Sequence, residues 1–391
     1  MTVRRGRRKV AATPGKMDIH MVARLANVSI ATVSRTINHV STVNPQIAKR
    51  VWEVIEKLGY FPNTQARALG SGRSRLFGLI VSETVNPFFP ELIRGFEDIA
   101  VDHGYEILVS STSDDPLRMA SCIRRMLERR ADGVAVMTFG GEEPLLEQLS
   151  ERSVPLVFVD VGPKGPGVSL LKVDYHNGIR QAVQHLAGLG HRDIAFVTGP
   201  QDLHSAQSRL TAFYRSLQEC GLMAGPARIV EGDHSMEAGM LAMGQLLEGK
   251  KPPTAVMCSN DMTAIGVLHE LYRAGLRAPD DLSVIGFDDI HMAQVTIPPL
   301  TTIRMSCFEL ARAAVTALCA HVEEGVKPKR DYGIDTRLVI RESTGFPRGT
   351  MLHLRKAASR SSSLIRVGKS SNEGRVSRGE KAKPVKLIGR G

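Results

Sequence analysis

The chain has 391 residues, 42% hydrophobic and 23% charged, enough for two or three domains with a sizeable core. No apolar run reaches membrane-spanning length, and no apolar segment backs the basic N-terminus, so a cytoplasmic protein without a membrane partner is expected. Five cysteines (122, 220, 258, 307 and 319) lie scattered without a Cys-x-x-Cys, which argues against a disulfide framework or a zinc site; no metal and no cofactor is expected.

The net charge of +11 is unevenly placed. Residues 1–17 carry six Lys/Arg and no acid, 18–75 eight against three, and 348–391 twelve against two, whereas 76–347 hold 25 against 35 acids. Basic ends on an acidic body assign polyanion binding to the ends.

Residues 1–17, closed by Thr13-Pro14-Gly15-Lys16, read as a disordered basic arm able to touch phosphates without reading sequence. A solubilising leader is the equal alternative. Val22-Ala23-Arg24-Leu25-Ala26-Asn27 predicts a short helix with an apolar side, joined by a tight turn at Asn27-Val28 to a second helix over 28–38. Ser29 is placed to cap the second helix, and Val33 and Ile37, four apart, to pack inward. Ile30, Ala31, Thr32, Ser34, Arg35 and Asn38 are left for its other faces. Such a pair reads as a helix-turn-helix, with a helical hairpin at a domain edge as the competing reading.

Asn44-Pro45 opens a third helix, with Asn as N-cap and Pro at the first helical position. Ile47, Val51, Val54, Ile55 and Leu58 form its apolar stripe and Gly59 its stop. The three helices make an all-α DNA-binding head over 18–62 with a minimal core. Residues 63–75 hold a two-turn helical pattern between Pro62 and Gly70, too short to stand alone in water.

From Leu76 the texture changes to strand–helix alternation, the signature of helix-covered parallel sheets. Strands are predicted at Phe77–Val81, Glu106–Ser110, Gly133–Met137, Leu156–Val159, Ile194–Val197, Ala255–Cys258 and Val284–Gly286. Two sheets, one before and one after about residue 174, fit the length better than one very wide sheet.

Residues 18–346 resemble the LacI/GalR family of bacterial transcription regulators. The motifs are Val22-Ala23, Ala26-Asn27-Val28-Ser29, Thr32-Val33-Ser34-Arg35 and Asn38, then Leu58-Gly59-Tyr60, Pro62-Asn63, Ala66-Arg67 and Leu69. Further on stand Asn86-Pro87-Phe88-Phe89, Gly190-His191-Arg192, Arg209-Leu210, Ser259-Asn260-Asp261, Gly286-Phe287-Asp288-Asp289 and Pro298-Pro299-Leu300-Thr301-Thr302-Ile303. Arg341-Glu342-Ser343-Thr344 resembles the family's closing strand.

The resemblance implies a homodimer whose two heads read a palindromic operator in double-stranded DNA. It also implies an α/β core of two parallel-sheet subdomains (periplasmic-binding-protein-like) with a small-molecule effector between them. The expected organisation is the head at 18–62, a hinge helix and linker at 63–75, and the effector-binding and dimerisation core at 76–347. Within the core, an N-subdomain of about 76–174 plus 304–335 faces a C-subdomain of about 175–303 plus 336–347.

At the DNA end the resemblance places Ile30, Ala31 and Arg35 against base edges. A guanidinium fork bonds guanine O6 and N7 together, whereas Ile30 and Ala31 touch only thymine methyls. Ser29, Thr32, Ser34, Asn38 and Asn44 read as phosphate-positioning groups, with capping chemistry as the alternative. Tyr60 and Asn63 complete the DNA-facing set. Leu69, with Ala66 beside it, matches the family's minor-groove wedge, which kinks the duplex when two hinge helices pair.

In the cleft the resemblance implies an aromatic wall from Phe88 and Phe89, with hydrogen bonds from Asp160, Arg209, Asn260 and Asp288. His204, Ala206 and Met262 occupy neighbouring pocket positions, and Met305 and Cys307 suggest an apolar rim. An Asp and an Arg that each bind two adjacent hydroxyls suit a sugar or sugar derivative. The alternative effector is a purine, nucleoside or phosphorylated metabolite, acting as a corepressor. No Walker loop, His-Glu-x-x-His or Gly-x-Ser-x-Gly is present, and Gly188-Leu189-Gly190 is an isolated fragment, so an enzyme is not expected. The basic tail 348–391 reads as disordered; Leu352, Leu354 and Leu364 sustain no heptads, so a dimer is expected and not a tetramer. The sequence reading is therefore a repressor, most simply of a carbohydrate-use operon.

Overall fold

The computed structural model describes residues 18–37, 40, 42–61, 73–113, 115–138, 152–163, 165–223, 225, 228–324 and 330–348. The basic arm, Asn38, the hinge positions Asn63, Ala66 and Leu69, and residues 349–391 of the tail lie outside the described residues.

The head is built from three capped helices. Asp18 Oδ1 accepts from Met21 N at 2.9 Å to open α1 (Ile19–Ala26). Asn27, in the left-handed region at φ 51°, closes it and turns the chain sharply. The helix α2 (Ile30–Ile37) begins where Ser29 Oγ accepts from Thr32 N at 3.1 Å. Asn44 Oδ1 accepts from Gln46 N, Pro45 supplies the first position of α3 (Pro45–Leu58), and Gly59 ends it at φ 59°. Val22, Ala23, Ala26, Val33, Ile37, Val51 and Ile55 form the buried core, ringed by half-buried Ile19, Val28, Ile47, Val54, Leu58 and Tyr60.

The body runs β1 (Leu76–Val81), α4 (Phe88–Asp102), β2 (Glu106–Ser111), α5 (Pro116–Glu128), β3 (Gly133–Met137), β4 (Leu156–Val159) and β5 (Val168–Asp174). It continues α6 (Tyr175–Gly188), β6 (Ile194–Val197), α7 (His204–Glu219), β7 (Ile229–Val230), α8 (Met236–Glu248), β8 (Ala255–Cys258), α9 (Asp261–Arg273) and β9 (Ser283–Asp288). A 3₁₀ turn (His291–Gln294), β10 (Thr301–Met305), α10 (Cys307–Glu324) and β11 (Arg330–Val339) complete it.

The two expected sheets, one on each side of residue 174, are present and are joined end to end by a shared strand. The strands hydrogen-bond into one 11-stranded sheet ordered β2-β1-β3-β4-β5-β11-β10-β9-β8-β6-β7. The join is β11: residues 330–335 pair in parallel with β5, and 336–339 pair antiparallel with β10. All other pairs are parallel. One correction concerns the closing strand, which is Arg330–Val339 and not Arg341-Glu342-Ser343-Thr344. Those four residues run beside the sheet without a ladder: Ser343 O accepts from Val284 N, and Ser343 Oγ accepts from Thr301 N.

One large apolar cluster runs through both halves of the body, and a second, with Ile80, Met126, Val134, Phe158 and Leu170, covers the other face of the first half. Burial on both faces makes the central strands continuous apolar runs. It also leaves the strand ends as the places where polar side chains can gather.

Candidate functional site

The exposed face of α2 is the first site. Ile30, Ala31 and Arg35 are exposed, while Val33, Thr36 and Ile37 turn inward. Ser29 and Asn44 are exposed and already cap their helices; Thr32 and Ser34 are half-buried, and Thr32 Oγ1 lies 2.9 Å from Ser29 Oγ. Tyr60 packs against the head core, and burial, followed by the charge of Asp18, raises its hydroxyl pKa. The face is therefore two apolar side chains and one guanidinium, with short hydroxyls beside them.

The second site is a cavity of about 90 Å³ between the two halves of the body. Its walls come from residues just past strand ends: Ser82 and Glu83 after β1, Thr138 after β3, Asp233 and His234 after β7, Asn260 after β8, and Asp288 closing β9. The amino end of α4 adds Asn86, Phe88 and Phe89; the start of α7 adds Ser205 and Arg209. Carboxyl ends of strands in open α/β sheets are where ligands bind.

Arg209 organises the cavity. Its guanidinium lies 4.1 Å from the ring centroid of Phe287 and 5.3 Å from that of Tyr175, held between two aromatic faces. Its Nη1 donates to Ser259 O at 2.6 Å and its Nη2 lies 3.7 Å from Asp288 Oδ1. Its buried Nε has no hydrogen-bond partner among the described residues, a donor that an arriving acceptor would satisfy. Asp288 sits at φ 113°, and burial, opposed by Arg209, pushes its pKa up to about 7. Phe88 and Phe89 meet edge to face at 5.4 Å and form one wall.

Five of the six expected effector contacts, Phe88, Phe89, Arg209, Asn260 and Asp288, thus line one cavity; Asp160 does not. Asp160 accepts from Tyr175 Oη at 2.6 Å and from Val173 N at 3.0 Å, so it braces the Tyr175 ring on which Arg209 rests. Asn260 is also committed: its Oδ1 caps α9 at Thr263 N, and its Nδ2 donates to His234 O. Met305 is on the cavity wall, Cys307 Sγ contacts Phe88 O, and His204 faces an outer groove with Tyr175 and His176.

His234 was missed by sequence reasoning. Held at φ 69°, it places its Nε2 3.0 Å from Ser259 Oγ, and its ring lies over Gly199, where a Cβ would sit 2.0 Å from Nε2. Burial, then the charge of Arg209, lowers its pKa to about 3, so the ring is neutral. Gly232-Asp233 before the cap Ser235 marks a turn, but nothing in the sequence shows that a ring there reaches the cavity. Across the mouth, Glu91 Oε1 accepts from His291 N at 2.8 Å and bridges the halves.

An exposed recognition-type helix carried by a small head, joined to a two-lobed α/β body with a polar inter-lobe cavity, defines a ligand-sensing DNA-binding regulator. Residues 18–63 match the model for bacterial regulatory proteins of the lacI family, and 183–344 match that for a periplasmic binding protein-like domain. The chain is 34% identical over 323 residues to the HTH-type transcriptional repressor PurR of Aliivibrio salmonicida (strain LFI1238), covering 82% of this chain and 97% of that one. It is 33% identical over 329 residues to catabolite control protein A of Priestia megaterium, covering 84% and 99%. The lac repressor dimer bound to operator and the anti-inducer ONPF matches with a TM-score of 0.73 at 27% identity, covering 84% and 99%. The cellobiose complex of the transcriptional regulator CelR matches at 0.63 and 28%, covering 84% and 100%. The chain belongs to the lacI family of bacterial regulatory proteins: it is a DNA-binding transcriptional repressor and not an enzyme. Among the described residues no helix is long and apolar enough to cross a membrane.

Proposed function

We propose that the chain works as a homodimer on a palindromic operator and is switched by a sugar or sugar derivative in the inter-lobe cavity. The observation that carries the effector class is the Arg209–Asp288 pair. A carboxylate poised near neutrality stands beside a guanidinium with an unused Nε–H, so adjacent hydroxyls can donate to one and accept from the other. Phe88 and Phe89 offer the apolar wall that a pyranose face requires. The cavity of about 90 Å³ is smaller than the roughly 300–1,000 Å³ of ligand clefts, so it suits a single ring, and entry goes with parting of the lobes. The CelR relative in complex with cellobiose supports the same class.

The lobes divide as 76–174 with 306–335, against 175–305 with 336–347. The change of partner along β11 between Asp335 and Thr336 supports the later crossing, and the pairing of Arg304 with Asp288 supports an earlier crossing at the end of β10 in place of the expected 303/304. At the DNA end, Arg35 reads a guanine while Ile30 and Ala31 contact thymine methyls. Leu69 wedges the central step when two hinge helices meet. Exposed Leu241 and Tyr272 on the mutually packed α8 and α9 support dimerisation, since large apolar groups there gain from a partner.

A purine or nucleoside corepressor is the second reading, favoured by the neutral His234 ring beside the Phe88–Phe89 pair, which suits a planar base. Titration calorimetry of the full chain with monosaccharides and with purine bases separates the two. A sugar is expected to bind the wild type and to be lost in Arg209→Ala. Binding of bases alone would replace the sugar reading with the corepressor one.

A further inference from the structure

The body carries a second, larger pocket at the opposite end of its first sheet half. It holds about 520 Å³ and is lined where chain enters the strands: Arg73 ahead of β1, Arg130 and Asp132 ahead of β3, Arg152 and Ser153 ahead of β4. The inter-lobe cavity takes the residues past the ends of β1 and β3, so the two pockets lie at opposite ends of the strands of one sheet half. At this end of the strands Arg73, Ser74 and Arg75 lead into β1.

The pocket is cationic in a body whose 272 residues 76–347 are net acidic. Arg130 and Arg152 are exposed, and their guanidinium groups make no ion pair or hydrogen bond with the described residues. The acid on the rim does not offset them through direct contact: Asp132 Oδ1 accepts from Ser74 N and Ser74 Oγ, and its Oδ2 from Arg75 N. Beneath the rim the lining is apolar, from Met126, Val134, Val154 and Val322. Arg130 sits in the left-handed region at φ 54° because it closes α5, with Ala131 N donating to Met126 O at 3.0 Å, and this turn fixes where its side chain leaves the helix end.

We propose that this pocket is a second effector site for a small phosphomonoester. Its phosphate lies among Arg73, Arg130 and Arg152, and its body lies on the apolar floor. Guanidinium forks are the side chains suited to phosphate oxygens. Concavity and an apolar floor favour a small molecule over the convex duplex backbone. Arg73 gives the site its consequence: it belongs to the expected linker, three residues ahead of β1, and its Nη2 donates to Val322 O at 2.7 Å. A phosphate joining Arg73 to Arg130 and Arg152 ties the root of the linker to the body.

Calorimetry of the full chain with adenosine 5′-monophosphate and with glucose 6-phosphate tests the site, alongside operator binding by fluorescence anisotropy. Saturable binding of at least one ester is expected, weakened about tenfold or more in Arg130→Ala/Arg152→Ala. It should be retained in Arg209→Ala, which disables the inter-lobe cavity, and in Arg124→Ala/Arg129→Ala, which removes the same charge from α5 and its end outside the pocket. Loss in Arg209→Ala with retention in the pocket variant would place the ester between the lobes and overturn the proposal. So would equal losses in both double variants, which would mean unspecific charge. The absence of ester binding overturns it too, and weakened operator binding in the pocket variant would then mark these arginines as contacts to the DNA backbone.

Discussion

The head and the body solve the same problem in opposite ways. In the head the side chains offered to DNA stand on the outside of a core of seven buried residues, and little else depends on them. In the body the groups offered to a ligand are themselves parts of the packing: Arg209 lies between two rings, Asn260 caps a helix, and Asp288 ends a central strand. The difference teaches that function and stability are separable in the head and entangled in the body.

Ile37→Ala gives the largest expected effect. Removing a buried Ile side chain costs about 2–5 kcal/mol, comparable to all that so small a core supplies. Operator binding is expected to vanish while the body's calorimetric transition stays in place. Ile285→Ala makes the same deletion in the body and should lower that transition without unfolding it at 25 °C. Equal behaviour of the two variants would break the contrast.

Arg209→Ala sharpens it from the other side. Ligand binding and melting temperature should fall together, because a buried pair that loses one partner costs about 3–5 kcal/mol. Arg35→Ala is the matching change in the head. There, operator affinity should drop by about 1–3 kcal/mol, read by anisotropy, with no shift in either melting transition.

A smaller effect follows from Asp288, whose pKa is raised from 3.8 to about 7 by burial. Between those values the folded state holds a proton that the unfolded chain has released, so its contribution is fully present below pH 4 and is lost as pH rises through 7. The melting temperature of the ligand-free body should fall more steeply from pH 5 to pH 7.5 in the wild type than in Asp288→Asn. Gly59→Ala is the smallest. A Cβ there meets nothing within 4 Å, so only the left-handed φ of 59° is penalised. About 1 kcal/mol of head stability should be lost, measurable by chemical denaturation.

The same contrast governs what was legible in the sequence. The head was readable almost residue by residue, because caps, turn and stripe are local. Ser29, Asn44 and Gly59 do what their positions predict. Strands buried on both faces were equally plain as apolar runs. The strands missed were those whose pattern is mixed. In β11 Ile334 and Thr336 are buried, alternating with exposed Gly333, Asp335 and Arg337, so it has the period of a strand without the hydropathy. In the cavity the aromatic wall and the Arg–Asp pair were legible by resemblance. The bracing role of Asp160 was not, because the partner that redirects it, Tyr175, belongs to the next crossover. Nor was His234, whose ring position depends on a backbone conformation and on the missing side chain of Gly199.

The late place of β11 in the chain has a consequence for synthesis. As the polypeptide leaves the ribosome, β5 and β10 are both made before the strand that separates them, so each lobe waits with one open edge. Neither sheet half can finish its hydrogen-bond ladder until Arg330–Val339 has emerged, and the two lobes are then sealed by one event. A chain stopped short of that strand would carry two bare edges, the feature that recruits other chains into aggregates. Quality control of this repressor thus falls on its last described strand, long after the head has been made.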